Sequence, residues 1–330
     1  RQLNLVGSEA STEALKEWIV SPEMCDDAVM ALQAIGIPAA VETLVSVLRT
    51  DECPCAAQVM IALAETDPGT AIEPYVLWYN RGSTAEKSAA LYALASTGAP
   101  GAAEILSGAA DAASYRWDQT GAVHALLLYA RNIGLAGEVK KMERIASQVM
   151  DASQAPEASS QRLAAMSVIA EVKGSDALGI LLRAAGDPDV AVRVGALRLA
   201  SAIKGTDATK KWISRYGKVS PEAKADILFM LGERGDELAV PLMMKALDDP
   251  SREVSSSALS ALARLQGRKA VEPLLSWIVK YESEEGHLAA ANALTTLLDS
   301  TNIRMVAERL PESSGQATVT LIRLLAWSGD

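Results

Sequence analysis

Tryptophan, tyrosine, histidine and cysteine side chains carry most of the chemistry this sequence can offer. There are six, seven, two and three of them. Trp18, Trp78 and Trp277 stand at one position of a recurring pattern, with Tyr79 and Tyr281 close to the latter two. A flat ring with a polar edge can stack on a sugar or anchor a protein partner. The same ring can fill a gap between packed elements, and that is the expected role, because these rings belong to copies far apart in the chain. Lys210, Lys211 and Arg215, with Lys204 and Lys218 nearby, form the densest basic cluster. It could receive an acidic partner or a phosphate, although runs of this kind are commonly a solvated helix face. Lys140, Lys141 and Arg144 form a second such cluster.

Catalytic chemistry is harder to place. His124 and His287 lie far apart, and neither has a glutamate or a second histidine at metal-ligand spacing. Neither a glycine-rich phosphate loop nor a nucleophile motif is present. The expectation is therefore no catalytic residue, no metal site and no cofactor, hence not an enzyme. Asp248/Asp249 and Glu284/Glu285 read as residues of turns and helix starts that complement the helix dipole. The cysteines Cys25, Cys53 and Cys55 are odd in number, which demands neither a disulfide framework nor zinc. Cys25 and Cys55 hold equivalent places in adjacent copies, leaving a bridge from Cys25 to Cys53 or Cys55 open. Stacked helices run about 8–10 Å apart whereas a disulfide needs Cα atoms within about 7 Å, so three buried small hydrophobes are expected.

The elements that position these residues repeat. A helix-closing position recurs about every 30 residues, at Gly7, Gly36, Asp67, Gly98, Gly134, Gly174, Gly205, Gly235, Gly267, Ser300 and Gly329. A glycine there can turn left-handed at no steric cost and let the next helix fold back. Between these stops lie longer Ala/Leu-rich helices such as VGALRLASAI (Val194 to Ile203) and SALSALARL (Ser257 to Leu265), with apolar residues at three- and four-residue spacing. Proline marks many of their starts, including Pro188, Pro221 and Pro250. Shorter helices follow, among them Thr12 to Val20, Ala71 to Tyr79, Asp207 to Tyr216 and Lys269 to Lys280. Strand signals are absent, and about 70% of the chain reads as helix, against a usual share of roughly a third.

The cleanest copies run from Gly174 to Lys280. The interval widens between Gly98 and Gly174, where AASYRWDQT precedes one helix and DASQAPEASS (Asp151 to Ser160) another, a polar, proline-bearing stretch that reads as a long loop. The expected organisation is a single solenoid over residues 1–330 with an irregular segment at 99–174. RQLNLVG at the start reads as the tail of a helix, so the chain is expected to begin in mid-repeat. With 49% hydrophobic but only 4% aromatic residues, the core is expected to be Ala, Leu, Val and Ile in closely packed helices. The net charge of −10 repels phosphate, so neither nucleic acid nor an anionic membrane is an expected partner. No apolar run reaches the roughly 20 residues of a membrane span.

The segments DPDVAVRVGALRLA (Asp187 to Ala200) and DDPSREVSSSALSALARL (Asp248 to Leu265), each joined to a helix such as AVPLMMKAL or AVEPLLSWI, resemble HEAT-like repeats of the phycobilisome-lyase-like kind. The resemblance implies an all-α fold, a right-handed α-α superhelix of about ten helical hairpins in which the shorter helices line the concave surface. It also implies a non-catalytic, monomeric scaffold for protein–protein interaction within a larger bacterial protein. HEAT-like iron hydroxylases need His-Glu pairs and HEAT-like glycosylases need a basic DNA cleft, and neither feature is here. The opening RQLNLVGSEASTEALKEWI with DDAVMALQAIGIPAAVETL looks like helical segments of large bacterial extracytoplasmic proteins. That likeness implies a periplasmic or secreted location and, as the alternative, an accessory carbohydrate-associated module of a 3-keto-disaccharide hydrolase-like protein.

Overall fold

A computed structural model describes residues 8–50 and 53–328, and every regular element among them is helical. The chain divides into two compact units, residues 1–173 and 174–330. The division falls at Gly174, where the regular pattern resumes after the irregular span. Gly7 and Gly329 lie outside the described residues.

Unit 1 opens with α1 (Glu9–Leu15) and then alternates the two series that the sequence presents as longer and shorter helices, equal in length in the first and last pair: α2 (Cys25–Ile35) then α3 (Pro38–Leu48), α4 (Ala56–Thr66) then α5 (Ile72–Arg81), α6 (Thr84–Thr97) then α7 (Ala102–Ala112), and α8 (Ala122–Leu135) then α9 (Val139–Ala152). It ends with α10 (Ser159–Lys173). Unit 2 starts with α11 (Leu178–Ala184) and continues with the pairs α12 (Val190–Ala202) and α13 (Thr206–Tyr216), α14 (Pro221–Arg234) and α15 (Val240–Ala246), α16 (Arg252–Gln266) and α17 (Val271–Lys280), α18 (Glu284–Thr295) and α19 (Arg304–Arg309), before α20 (Gly315–Ser328). Within each unit a longer helix packs on the shorter helix that precedes it and on the longer helices of the copies before and after it. No hairpin could bury its apolar face alone, and stacking supplies the missing surface.

Local chemistry explains where the helices begin and end. Asp189 accepts backbone N–H groups of Ala191 (2.9 Å) and Val192 (3.3 Å) to cap α12, and Ser83 and Glu86 form a capping box on α6. Pro221 occupies the first turn of α14, behind the cap Ser220. Gly36, Gly98 and Gly235 close α2, α6 and α14 in the left-handed conformation. Gly134 breaks the ruler. It lies inside α8, and the positive φ of that copy belongs to Gly137 at 104°. A Cβ on Gly134 would stand 2.9 Å from the Met142 side chain, so this glycine serves the close approach of α8 and α9 rather than a stop.

The core is built as composition requires, from Leu, Ala, Val and Ile with a few large rings at 0% exposure, Trp212, Tyr75 and Tyr129 among them. Two arginines of unit 2 are also buried. Arg234, at the end of α14, donates to the carbonyls of Ala200 (2.9 Å), Ile203 and Gly205 (3.2 Å) and to the Thr209 hydroxyl (3.3 Å). It thereby satisfies the orphan carbonyls at the end of α12, one copy earlier. Arg193 binds the Asp226 carboxylate at 2.7 Å and the Asp187 carbonyl at 3.0 Å.

Cys25 and Cys55 are joined by a disulfide, with Cα atoms 6.0 Å apart. This corrects the expectation of three free thiols. Axes of stacked helices keep about 8–10 Å, yet residues on their facing surfaces come closer than the axes do. Cys25 begins α2 and Cys55 caps α4, so the bridge ties the same point of two neighbouring copies. Cys53 is a free, buried thiol, and burial pushes its pKa up to about 11.

Candidate functional site: clefts between the longer helices

The tryptophans at the shared repeat position do not lie alike. Trp78 and Trp277 are 6% and 5% exposed. The Trp78 indole donates to the Leu48 carbonyl and the Trp277 indole to the Leu247 carbonyl, each at 2.9 Å and each 30 residues back. One interaction is thus used twice: a ring fills the step between two shorter helices and its N–H satisfies the end of the earlier one. Neither ring offers a free shelf. Trp18 is 49% exposed, but α1 ends at Leu15, and Trp18 lies in the turns that follow, its N–H on the Leu15 carbonyl at 3.1 Å. The helix expected over Thr12 to Val20 is shorter because the chain must turn back before α2.

Tyr79 is half-buried on α5. Tyr281 stacks beside Trp277 with centroids 5.2 Å apart, and its hydroxyl donates to Asp248 at 2.5 Å. That hydroxyl, with Lys280 at 3.1 Å, holds the Asp248 carboxyl below its usual pKa. Lys210 and Lys211 are exposed on α13, with Lys210 3.5 Å from Asp207. Arg215 is turned away from them, its guanidinium packed so tightly over Gly186 that a Cβ there would meet it at 2.7 Å. The basic cluster is therefore two solvated lysines and an arginine engaged with the preceding loop.

The clefts lie elsewhere, between successive longer helices. In unit 2 a cavity of about 320 Å³ between α12 and α14 is lined by the buried Leu197 and Met230, by the exposed Val194 and Phe229, and by Arg198 and Glu233. Arg264 lies over the Phe229 ring at 5.0 Å and also pairs with Glu233. A larger cleft of about 600 Å³ separates α18 from α20, lined by Leu288, Thr320, Arg323 and Trp327. There His287, buried at 1%, directs Nε2 at the carbonyls of Ile278 (3.0 Å) and Tyr281, so Nε2 carries the proton. In unit 1 a cleft of about 580 Å³ runs along α4, α6 and α8 past Ile61, Tyr92, Gln119 and His124, and a smaller one of about 130 Å³ follows between α8 and α10 beneath Trp117.

Sequence reasoning looked to the shorter helices and missed this face. A signal for it was present: single large apolar residues on the polar side of longer helices, such as Met30, Ile61, Val194 and Phe229, all exposed. Trp117 belongs to the irregular insertion, and no repeat position pointed to it. Among the described residues no three His, Cys, Asp or Glu side chains cluster as a metal site would require, and no helix is long and apolar enough to cross a membrane.

Antiparallel hairpins stacked copy on copy, with ligand-sized clefts where longer helices meet side by side, define an α-helical repeat protein. Residues 209–295 match the family model of HEAT repeats, and the described residues outside that span continue the same all-helical, hairpin-stacked pattern. The chain is similar to solved human deoxyhypusine hydroxylase in complex with glycerol, at 15% identity over 90% of this chain and 99% of that one, with a TM-score of 0.32. It is also similar to Kap121p, at 15% identity over 97% of this chain and 42% of that one, with a TM-score of 0.47. The chain thus spans less than half of Kap121p. No curated protein matches it.

Proposed function

We propose that this protein is a non-catalytic binding scaffold whose partner is another protein, docked on the faces of the longer helices. The observation that supports this is the placement of solvent-facing apolar side chains. Met30 and Ile61 in unit 1, and Val190, Val194, Phe229, Leu288 and Ile322 in unit 2, all project from longer helices and all are exposed. The α12–α14 cleft sets apolar Val194, Leu197, Phe229 and Met230 beside the charged Arg198 and Glu233. An apolar centre with a charged edge is the usual anatomy of a protein interface. The partner is therefore expected to insert aliphatic or aromatic side chains between helices and to meet the rim with charges of both signs.

The Cys25–Cys55 bridge supports a location in an oxidising compartment, since such bonds persist outside the reducing cytosol. The docking reading is tested by placing a photo-crosslinking residue at Phe229 and, separately, at Lys210, then purifying the protein each captures. The expected result is a defined adduct at Phe229, with Phe229→Ala weakening the purified pair by about tenfold or more. Adducts at Lys210 alone would return function to the shorter helices.

A further inference from the structure

The insertion between α7 and α8 is held in place more elaborately than its length requires. Ser114 and Tyr115 have φ of 52° and 54°, the only positive values at non-glycine residues among those described. Such a conformation costs about 1–3 kcal/mol per residue and persists only where the surroundings enforce it. Here they do. The buried Tyr115 receives the Gln148 amide on its hydroxyl at 2.6 Å and the Ser153 hydroxyl on its carbonyl at 3.5 Å. Gln161, with its amide oxygen turned to the loop, accepts the backbone N–H of Trp117 at 2.9 Å. Asp118 accepts the backbone N–H of Thr120 (2.9 Å) and of Ala122 (3.0 Å), and Arg116 pairs with Glu157 at 3.4 Å.

What this framework presents is one indole. Trp117 is 79% exposed, more than any other large apolar side chain described. A ring needed for packing would be inside, whereas a fixed loop that holds a ring in water is a binding surface. Its surroundings define the ligand. The charged side chains beside it are engaged with the protein, Arg116 with Glu157 and Asp118 with the backbone N–H groups of Thr120 and Ala122. His124 and Gln119 are exposed and make no side-chain hydrogen bond among the described residues, and both line the longer cleft that continues toward Tyr92. His124 also lines the cavity under Trp117, joining the two. The site thus combines a flat apolar face, the uncommitted hydrogen-bonding groups of Gln119 and His124 along one edge, and a track, with Glu65 on its wall, leading away from it.

We propose that the Trp117 loop of unit 1 binds a neutral oligosaccharide, one hexopyranose ring stacked on the indole and its hydroxyls met by Gln119 and His124, with further sugar units lying along the cleft toward Tyr92. The cleft shares Ile61 with the exposed apolar face described above, but the site does not depend on the protein-docking reading, which the α12–α14 cleft of unit 2 tests separately. The test follows the indole N–H signals of the full chain by NMR while cellohexaose, maltohexaose, mannohexaose and xylohexaose are added in turn to millimolar concentration. The Trp117 signal is the one lost in Trp117→Phe. Saturable movement of that signal by at least one saccharide, with affinity lowered about tenfold or more in Trp117→Ala, is expected. A Gln119→Ala/His124→Ala double variant, which alters only exposed side chains, is expected to weaken the same binding by about threefold or more even if Trp117→Ala fails to fold. If no saccharide moves the signal, if the variants bind as the wild type does, or if only a proline-rich peptide moves it, the proposal is overturned, the last outcome assigning the loop to a protein partner.

Discussion

Unit 2 repeats itself and is fastened by ionic and polar contacts from each copy to the next, whereas unit 1 is fastened covalently at its start and then departs from its own pattern. In unit 2 Arg193 reaches Asp226, Arg234 reaches the end of α12, and Trp277 reaches Leu247, each about one copy away. In unit 1 the copies of α2 and α4 are joined by a disulfide and the Trp78–Leu48 hydrogen bond, an insertion with two left-handed residues follows, and beyond it come polar contacts between copies such as Arg131 with Glu171. Regular copies are spent on stacking. Where stacking is already secured, a copy is free to carry a loop that contributes little to it, and there the polar binding chemistry is found.

The comparison can be broken most sharply at Arg234. Arg234→Met would leave the carbonyls of Ala200, Ile203 and Gly205 without donors in a buried setting, a loss expected to cost unit 2 about 3–5 kcal/mol in urea unfolding. A loss no greater than that of a surface arginine would show that the polar fastening is ornamental. Next comes Cys25→Ser, expected to cost unit 1 about 2–4 kcal/mol through the unfolded chain, with the same loss produced in the wild type by a reductant. Reductant-independent stability would place the two units on one footing.

Gly286→Ala sharpens the contrast between buried and presented rings. A Cβ there would collide with the Trp277 ring, and the overpacking is expected to cost about 1–3 kcal/mol by thermal denaturation. Trp117→Ala, by contrast, should stay within about 0.5 kcal/mol, as an exposed side chain that fills no interior space. Equal costs would undo the assignment of Trp117 to binding.

The smallest effect is one of pH. Burial alone would raise the Asp118 carboxyl, but hydrogen bonds from the Thr120 hydroxyl and from the backbone of Ala122, Thr120 and Gly121 outweigh it and hold its pKa below the usual value. A carboxyl whose folded-state pKa is depressed contributes stability that is complete above the unfolded value near 4 and is lost as pH falls through the lower folded value. The Trp117 loop should therefore keep its order at neutral pH and lose it selectively in acid below about pH 4, a change the Trp117 indole signal would report.

The repeat was legible in sequence because glycine stops and three-and-four spacing are local properties. Gly36, Gly98 and Gly235 stand where expected, and only Gly134 misled, since a glycine needed for close packing looks in sequence like one needed for a turn. The tryptophans were read at the right repeat position, but a chain pattern does not say whether Trp277 faces Leu247 or solvent. Trp117 was invisible for the opposite reason. Its role comes from Gln148, Ser153 and Gln161, all more than 30 residues away, and no spacing rule joins them to it. The clefts are likewise products of two helices side by side, and neither helix carries their shape alone.

The bridge between Cys25 and Cys55 bears on the order of events when unit 1 comes apart. Neighbouring copies of a linear stack can part locally without the whole stack unfolding. A covalent tie between the copies of α2 and α4 means that, once parted, they stay within reach and re-dock before a protease or an aggregating neighbour can exploit the gap. The bond thereby acts as a kinetic safeguard as well as a contribution to equilibrium stability.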